Sequence, residues 1–241
     1  MKTPSIIRNL AILASLFSLA AVGTAAEEKN AKPEAGEYHP TIDPAKFTAT
    51  VNNPYFPLKP GTTYTFLEKE GREERENKVE VTHDTKTVMG VKCVVVHDTV
   101  TEGGKLKEDT FDWYAQDKDG AVWYFGEATK EFKSGGRTST AGSWEAGVNG
   151  QPGIIMPAHP KPGEPYRQEY SPKNAEDMGQ VVAIDEKVKV PAGDYSGCVK
   201  TKDWSLLESG HEHKWYAKGV GCVRAESSGG EIVTLVTVTK K

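Results

Sequence analysis

A succession of short β-type runs, separated by turn residues, constrains the fold of this chain most strongly. The runs are TTYTFLEK, NKVEVTHDT, KCVVVHDTV, DTFDWYAQ, AVWYFGEA, QVVAIDEKVKV, CVKTKDWSL, HEHKWYAK, CVRAES and EIVTLVTVT. Many of their residues are β-branched or aromatic, as is typical of strands. Long stretches with the periodicity of an amphipathic helix do not interrupt them. The pattern predicts an all-β protein with an antiparallel sheet.

The runs occur in a similar order twice, in residues 61–131 and 178–241. Each part has an apolar strand ending in a Gly turn, a strand opening with cysteine, a strand with the letters WYA, and a return strand. We interpret this order as a duplicated β-meander within a single domain, residues 38–241. The intervening residues 132–177 are rich in Gly and Pro, which predicts an ordered functional loop or a lid.

The N-terminal residues have the composition of a secretory signal peptide. Basic residues precede an apolar run over 10–22, and small residues follow, so cleavage is predicted near Ala25 or Ala26. The run is shorter than the ~20 residues that usually cross a bilayer. Residues 1–26 are therefore predicted to be removed, and 27–37 to form a flexible lead-in. We expect a periplasmic or secreted protein without a transmembrane segment.

Charge and motifs exclude several classes of function. The chain has 30 basic and 34 acidic residues, a net charge of -4, and no large block of either sign. This distribution disfavours nucleic acid and anionic membranes as partners. The sequence lacks GxSxG, HExxH, a phosphate-binding Gly loop and a CxxC pair. We therefore expect no cofactor, and the oligomeric state stays open.

The three cysteines allow at most one intramolecular disulfide in an oxidising compartment. Cys198 and Cys222 close the shortest loop and are the favoured pair. The expected strand order would place a third strand between them, which would strain or forbid the bond. Alternatively, all three cysteines, including Cys93, are buried thiols.

The stretch DWYAQDKDGAVWYFGE, residues 112–127, combines aromatic and acidic side chains. Its Asp-Gly pair at 119–120 is a strong signal for a two-residue hairpin turn. Counting outward from that turn places three pairs on one face: Asp112 with Glu127, Tyr114 with Phe125, and Gln116 with Trp123. Opposed carboxylates repel each other unless a cation, a metal or a shared proton offsets their charge.

This face supports two functional hypotheses. In the first, Tyr114, Trp123 and Phe125 hold a small ligand, and the long loop adds Trp144 and Glu145. In the alternative, Asp112 and Glu127 form the acid pair of a glycan-active enzyme. An ordinary strand pair with exposed acids, in a structural envelope protein without a ligand, explains the same composition.

His211 and His213 alternate in the run HEHKW and therefore share one face of a strand. Two imidazoles could hold a metal if a third ligand came from elsewhere. Pairs of this kind are more often solvated. They are a weak metal candidate, and no other metal site is predicted.

The chain also carries two family resemblances. It resembles an uncharacterised group of exported bacterial β proteins in NPYFPLKPG, DWYAQDKDGAVWYFGE and GSWEAG. It is similar to lipoprotein-carrier-like half-barrels in VPAGDYSGCVKT and KWYAKGVGCVRAES. These resemblances imply an exported, curved sheet that forms a half-barrel or an open barrel over an apolar concavity. They imply no catalytic residues. The favoured prediction is an exported envelope protein that binds an apolar or aromatic-stacking small molecule.

Overall fold

The computed structural model describes residues 38–241. The predicted signal peptide and lead-in lie outside the described residues. None of the described residues lies in an α-helix, and the part of the chain that the structure describes has no helix suited to crossing a membrane. The strands are β1 (Phe47–Thr48), β2 (Thr62–Glu70), β3 (Glu73–Val88), β4 (Val91–Glu102), β5 (Lys105–Asp117), β6 (Val122–Phe132), β7 (Thr138–Ser139), β8 (Trp144–Glu145), β9 (Gln151–Met156), β10 (Tyr166–Arg167), β11 (Glu169–Tyr170), β12 (Asp177–Val190), β13 (Gly193–Ser205), β14 (Glu212–Ala217), β15 (Gly221–Ser227) and β16 (Ile232–Lys240).

The strands form one large antiparallel sheet. Its order is β10, β12, β13, β14, β15, β16, β2, β3, β4, β5, β6, β9, β11, and short strands β1, β7 and β8 pair beside this path. The antiparallel all-β prediction is therefore confirmed. Two four-stranded meanders occupy opposite halves of the order. We call β3–β6 the first meander and β12–β15 the second meander, and β16 and β2 join them.

The segment around Gln168 brings the two ends of the sheet together. β10 pairs with β12 at one end and β11 pairs with β9 at the other, with only Gln168 between β10 and β11. The sheet is consequently nearly closed into a barrel. A side chain at Gly153 would place its Cβ 2.3 Å from the Gln168 carbonyl oxygen, so this approach requires glycine. Part of the interval 132–177 therefore closes the sheet, in addition to forming loops.

The interior of the sheet is filled by aromatic, aliphatic and acidic side chains. Tyr64, Phe66, Tyr114, Tyr124 and Tyr216 are all buried. Eleven carboxylate side chains are also buried in the described residues, whereas Lys214 is the one buried basic side chain among them. Buried charges are stable only when they are paired or neutralised by protonation. The interior must therefore neutralise a large excess of acid.

The favoured disulfide between Cys198 and Cys222 is not formed. All three cysteines are buried free thiols, as the alternative prediction held. β14 lies between the strands that carry Cys198 and Cys222. Two strand spacings of ~4.8 Å separate those strands, which exceeds the ~7 Å limit for a bridge. Burial raises the pKa of Cys93 and of Cys222 to about 12.

Candidate functional site

The hairpin between β5 and β6 turns one residue away from its predicted position. The Asp117 amide donates to the Ala121 carbonyl at 2.9 Å, so the turn contains three residues, 118–120. The Asp117 carboxylate accepts from the amides of Asp119 and Ala121 at 3.0 and 2.9 Å. The predicted two-residue turn was wrong because this side chain supports a wider loop, with Gly120 at positive φ.

A bulge on β6 then restores part of the predicted pairing. Tyr114 lies opposite Tyr124, whereas Asp112 lies opposite Glu127, so β6 contains one extra residue between these pairs. The bulge includes Gly126, which has a φ of 128°. A Cβ there would lie 2.3 Å from the Trp144 carbonyl oxygen. Close approach of β8 therefore requires glycine, and the predicted juxtaposition of Asp112 and Glu127 is present.

Two of the predicted ligand-binding rings lie on the opposite face. Phe47 packs edge-on against Trp123 and Phe125, with centroids 5.9 and 5.5 Å apart. Tyr124 instead stacks on Tyr114 at 4.8 Å. Because side chains alternate along a strand, the shifted register exchanges Tyr124 for its two neighbours. Trp123 and Phe125 therefore do not share a face with Asp112.

The structure also separates Trp144 from Glu145. The Trp144 ring is buried 5.4 Å from Tyr124, and its indole Nε1 donates to Glu169 at 2.7 Å. Glu145 forms an ion pair with Lys86 at 2.8 Å and is partly exposed. Trp144 thus belongs to the interior, whereas Glu145 lies on the outer surface.

His211 and His213 contact each other edge to face, with ring centroids 5.1 Å apart. In the described residues, no group of three His, Cys, Asp or Glu side chains has a geometry that could hold a metal ion. Burial lowers the pKa of His213 to about 4, assisted by the nearby Lys200. This pair offers two neutral imidazoles without a third ligand.

Acidic side chains line the interior of the first meander and its neighbouring strands. We call this set the acid cluster; its members are Asp98, Glu108, Asp112, Glu127 and Glu169. All five are 3% exposed or less. The Tyr124 hydroxyl donates to Asp112 at 2.6 Å, and the Asn77 amide donates to Asp98.

Protonation neutralises much of the acid cluster. Burial raises the pKa of Asp112 to about 7, although hydrogen bonds from Tyr124 and Tyr114 oppose the rise. Burial likewise raises the pKa of Glu108 to about 8. The pKa values of Asp98, Glu127 and Glu169 lie well above their ordinary range, first through burial and then through neighbouring carboxylates. Near neutral pH, the cluster therefore retains protons.

A small cavity lies between the acid cluster and a Pro-rich segment. Its volume is about 40 Å³. Asp98 and Asp112 provide acidic groups on its wall. The remaining lining residues are Phe56, Pro57, Leu58, Tyr64, Phe66, Val79, Val96, Tyr114, Val220, Gly221 and Cys222. The cavity lining is thus predominantly apolar and aromatic, with two aspartates among its residues.

We call residues 52–60, NNPYFPLKP, the cap. Its Phe56 ring packs between Tyr114 and Tyr216, with centroids 5.7 and 6.3 Å away. The Asn53 amide nitrogen Nδ2 donates to the carbonyls of Gly120 and Pro157 at 2.9 and 3.1 Å. On the other side, a backbone bond joins Gly219 to Pro54. The cap therefore connects the β5–β6 turn to the β14–β15 turn.

The cavity residues on the cap and on β4 were not identified from sequence. The prolines of the cap signalled an irregular segment, but nothing local indicated that Phe56 would enter the interior. Asp98 follows a run of valines in KCVVVHD and resembles the polar end of an ordinary strand. Only the pairing of β4 with β5 brings Asp98 near Asp112.

Comparisons with known proteins give distant similarities. No family model matches the chain, and no curated protein matches it. It is similar to a solved protein of Bacteroides fragilis, provisionally described as exported with a YmcC-like fold: 17% identity, 77% of this chain and 99% of that chain covered, TM-score 0.47. It is also similar to a provisionally described lipoprotein of Parabacteroides distasonis: 13% identity, 77% and 98% covered, TM-score 0.43. Neither description names a ligand or an activity.

Proposed function

We propose that this protein is an exported binding protein of the cell envelope, and that a small aromatic or apolar ligand enters the cavity beneath the cap. The observation that carries the proposal is the position of Phe56. Its ring packs between Tyr114 and Tyr216 beside a cavity with acidic groups. A ligand ring can replace Phe56 there and retain the same aromatic contacts. The predicted signal peptide supports the export part of the proposal.

The size of the cavity requires the cap to move when a larger ligand binds. Its volume of about 40 Å³ is far below the ~300–1,000 Å³ of pockets for drug-sized molecules. The cap is fixed by separate hydrogen bonds, which include those of Asn52 and Asn53 with Gln116 and of Pro57 with Tyr64, rather than by pairing along a long strand. Opening the cap would remove Phe56 and join its volume to the cavity.

Burial favours binding over the alternative of a glycan-active enzyme. Asp112 and Glu127 are only 2% and 3% exposed. A polysaccharide must contact both carboxylates from an open cleft, as glycoside hydrolysis requires. The acid pair instead lies within the filled interior, where a compact molecule is the better fit.

Benzyl alcohol provides a neutral aromatic probe for this proposal. We expect NMR titration to show binding at the amides around the cavity, and Phe56→Ala to bind about tenfold more tightly because no internal ring competes. Val96→Phe should abolish binding by filling the cavity. Phe125→Ala is the matched control, since this buried ring lies outside the cavity lining.

The binding proposal fails if benzyl alcohol binds neither the wild-type protein nor Phe56→Ala while both remain folded. It also fails if Phe56→Ala and Phe125→Ala respond equally. Circular dichroism establishes folding for each variant. Native mass spectrometry of protein purified from its own envelope fraction gives a second readout, because a bound small molecule adds a discrete mass that Val96→Phe should lose.

A further inference from the structure

We infer that the cavity selects ligands that present a positively charged ammonium group to Asp98 and Asp112. This inference rests on the proposed binding function and specifies its ligand class. The expected ligand is an amphipathic amine, with an aromatic or apolar body that takes the place of Phe56. Its ammonium group would extend from that body to the carboxyl groups at the side of the cavity.

The second meander shows how the same arrangement is neutralised by an internal ammonium. Asp98 lies five residues after Cys93, and Asp203 lies five residues after Cys198. In the second meander, Lys214 Nζ lies 3.2 Å from the Asp203 carboxylate. Asp112 occupies the position of Lys214, because each directly precedes the letters WYA. The first meander thus has the aspartate without the ammonium.

Strand register supports this equivalence. Asp112 pairs with the residue three positions after Cys93, namely Val96. Lys214 pairs with the residue three positions after Cys198, namely Thr201. The two side chains therefore occupy corresponding points on corresponding strands. An ammonium group beside Asp98 and Asp112 would reproduce the role of Lys214.

Two buried oxygen atoms at Asp98 and Asn77 have no hydrogen-bond partner. Asp98 is 1% exposed and lines the cavity, and its Oδ2 atom has no protein hydrogen-bond partner. The Oδ1 atom of Asn77, whose amide nitrogen donates to Asp98, likewise has no partner. The Asn77 atom is an acceptor, and the Asp98 atom becomes one when the carboxyl group loses its proton. A buried acceptor is satisfied by a donor, and an ammonium supplies up to three.

Aromatic rings complete the expected recognition of a cation. Phe56, Tyr64, Phe66 and Tyr114 all line the cavity with the two aspartates. Faces of aromatic rings attract ammonium groups, and the attraction increases when the site is desolvated. Rings and carboxylates together distinguish an amine from a neutral molecule of the same shape.

Two basic side chains of low exposure, Lys214 and Arg75, already have acidic partners. Lys214 lies 3.1 Å from Glu212 as well as 3.2 Å from Asp203. Arg75 forms ion pairs with Glu68 and Glu231 at 3.3 and 2.6 Å. None of the described residues that line the cavity is Lys, Arg or His. The site therefore rejects anions and favours cations.

Three probes that share one ring separate charge from shape: benzylamine, benzyl alcohol and phenylacetate. Calorimetric titration of the wild-type protein and of Phe56→Ala should give benzylamine an affinity at least about tenfold above that of benzyl alcohol. Phenylacetate should bind most weakly. The inference is overturned if benzyl alcohol binds as tightly as benzylamine; the binding function then survives. If none of the three binds, both proposals fail.

Asp98→Asn tests which carboxyl group provides the selectivity. This variant should reduce the preference for benzylamine over benzyl alcohol to near unity. Asp109→Asn is the matched control. Asp109 lies on the same strand as Asp112, but its carboxylate contacts His97 at 2.6 Å, outside the cavity lining. If Asp98→Asn does not fold, Asp112→Asn takes its place. An unchanged preference in the folded variant would falsify the inference.

Discussion

The two meanders share one contact between a lysine and a tryptophan, but their interiors differ. Outside, Lys86 lies over the Trp113 ring at 3.3 Å, and Lys200 lies over Trp215 at 4.6 Å. Inside, the charges differ: β5 has Asp112 opposite Glu127, whereas β14 has Lys214 opposite Ala225. The second meander therefore pairs its buried acids with an ammonium group, whereas the first retains protons on them. Two similar arrangements of strands thus neutralise their buried acids in different ways, one by an ion pair and the other by protonation.

This difference determines which carboxyl groups of the interior can take up or release protons. Burial lowers the pKa of Lys214, but Glu212 and Asp203 raise it above its ordinary value, so this lysine stays charged and its contacts are ionic. In the first meander, the acid cluster has no equivalent lysine. Protonated carboxyl groups are neutral and can exchange a proton for a bound cation. A fixed ion pair cannot do this without breaking.

The largest predicted effect comes from removing the internal ammonium. Lys214→Met leaves Asp203 and Glu212 buried without their cation, so we expect a loss of ~3–5 kcal/mol in the free energy of unfolding. Urea denaturation measures the loss. The loss in free energy of unfolding should be smaller at pH 5 than at pH 8, because Asp203 and Glu212 can take up protons at the lower pH. A change below about 1 kcal/mol at pH 8 would show that the ion pair does not stabilise the second meander.

The next prediction concerns pH dependence in the first meander. In the folded chain, Asp112 and Glu108 have pKa values of about 7 and about 8. Unfolded, both titrate near pH ~4. The folded state binds more protons between these values, so the contribution to stability is complete below pH ~4 and is lost as pH rises towards 8.

We therefore expect the free energy of unfolding to be at least about 2 kcal/mol lower at pH 8 than at pH 5. Urea denaturation across this range, with constant ionic strength, measures the difference. Equal stability at both values would mean that the acid cluster is already ionised in the folded protein.

The smallest effects should come from the outer lysines, where the meanders resemble each other. Lys86→Met and Lys200→Met each remove a cation from a tryptophan face, so each should cost less than about 1 kcal/mol. Lys86 also pairs with Glu145 at 2.8 Å, and its substitution should be slightly more costly. Thermal unfolding of both variants measures the difference. A loss of stability comparable to that of Lys214→Met would contradict the claim that the buried lysine stabilises the fold more than the outer lysines do.

The fold was predictable because its signals are local. Strand runs and Gly turns indicated an antiparallel sheet, and strands in the order of the two proposed repeats form the two meanders. The duplication itself stays a prediction. Closure through Gln168 was not predictable, since β10 and β11 contain only two residues each. Such short strands have no periodicity, and their pairing depends on distant partners.

The candidate site was predictable only in part. The Asp112–Glu127 pair was found by counting from the wrong turn, because the three-residue loop and the bulge shift the register in opposite directions. Gly126, isolated within a strand, was the available signal for a bulge. The other acids of the cluster, Asp98, Glu108 and Glu169, were missed because alternating polar residues normally face solvent, and strand sequence alone does not reveal a polar interior.

The central claim is that bound protons neutralise the buried acids of the first meander. NMR titration of the Asp112 side-chain carboxyl carbon tests this claim most directly. The resonance can be assigned by its loss in Asp112→Asn. If the first meander is neutralised by protons, the midpoint should lie near pH 7, as burial of this carboxyl group requires. A midpoint near pH ~4, the ordinary value for aspartate, would contradict the claim and remove the contrast with Lys214.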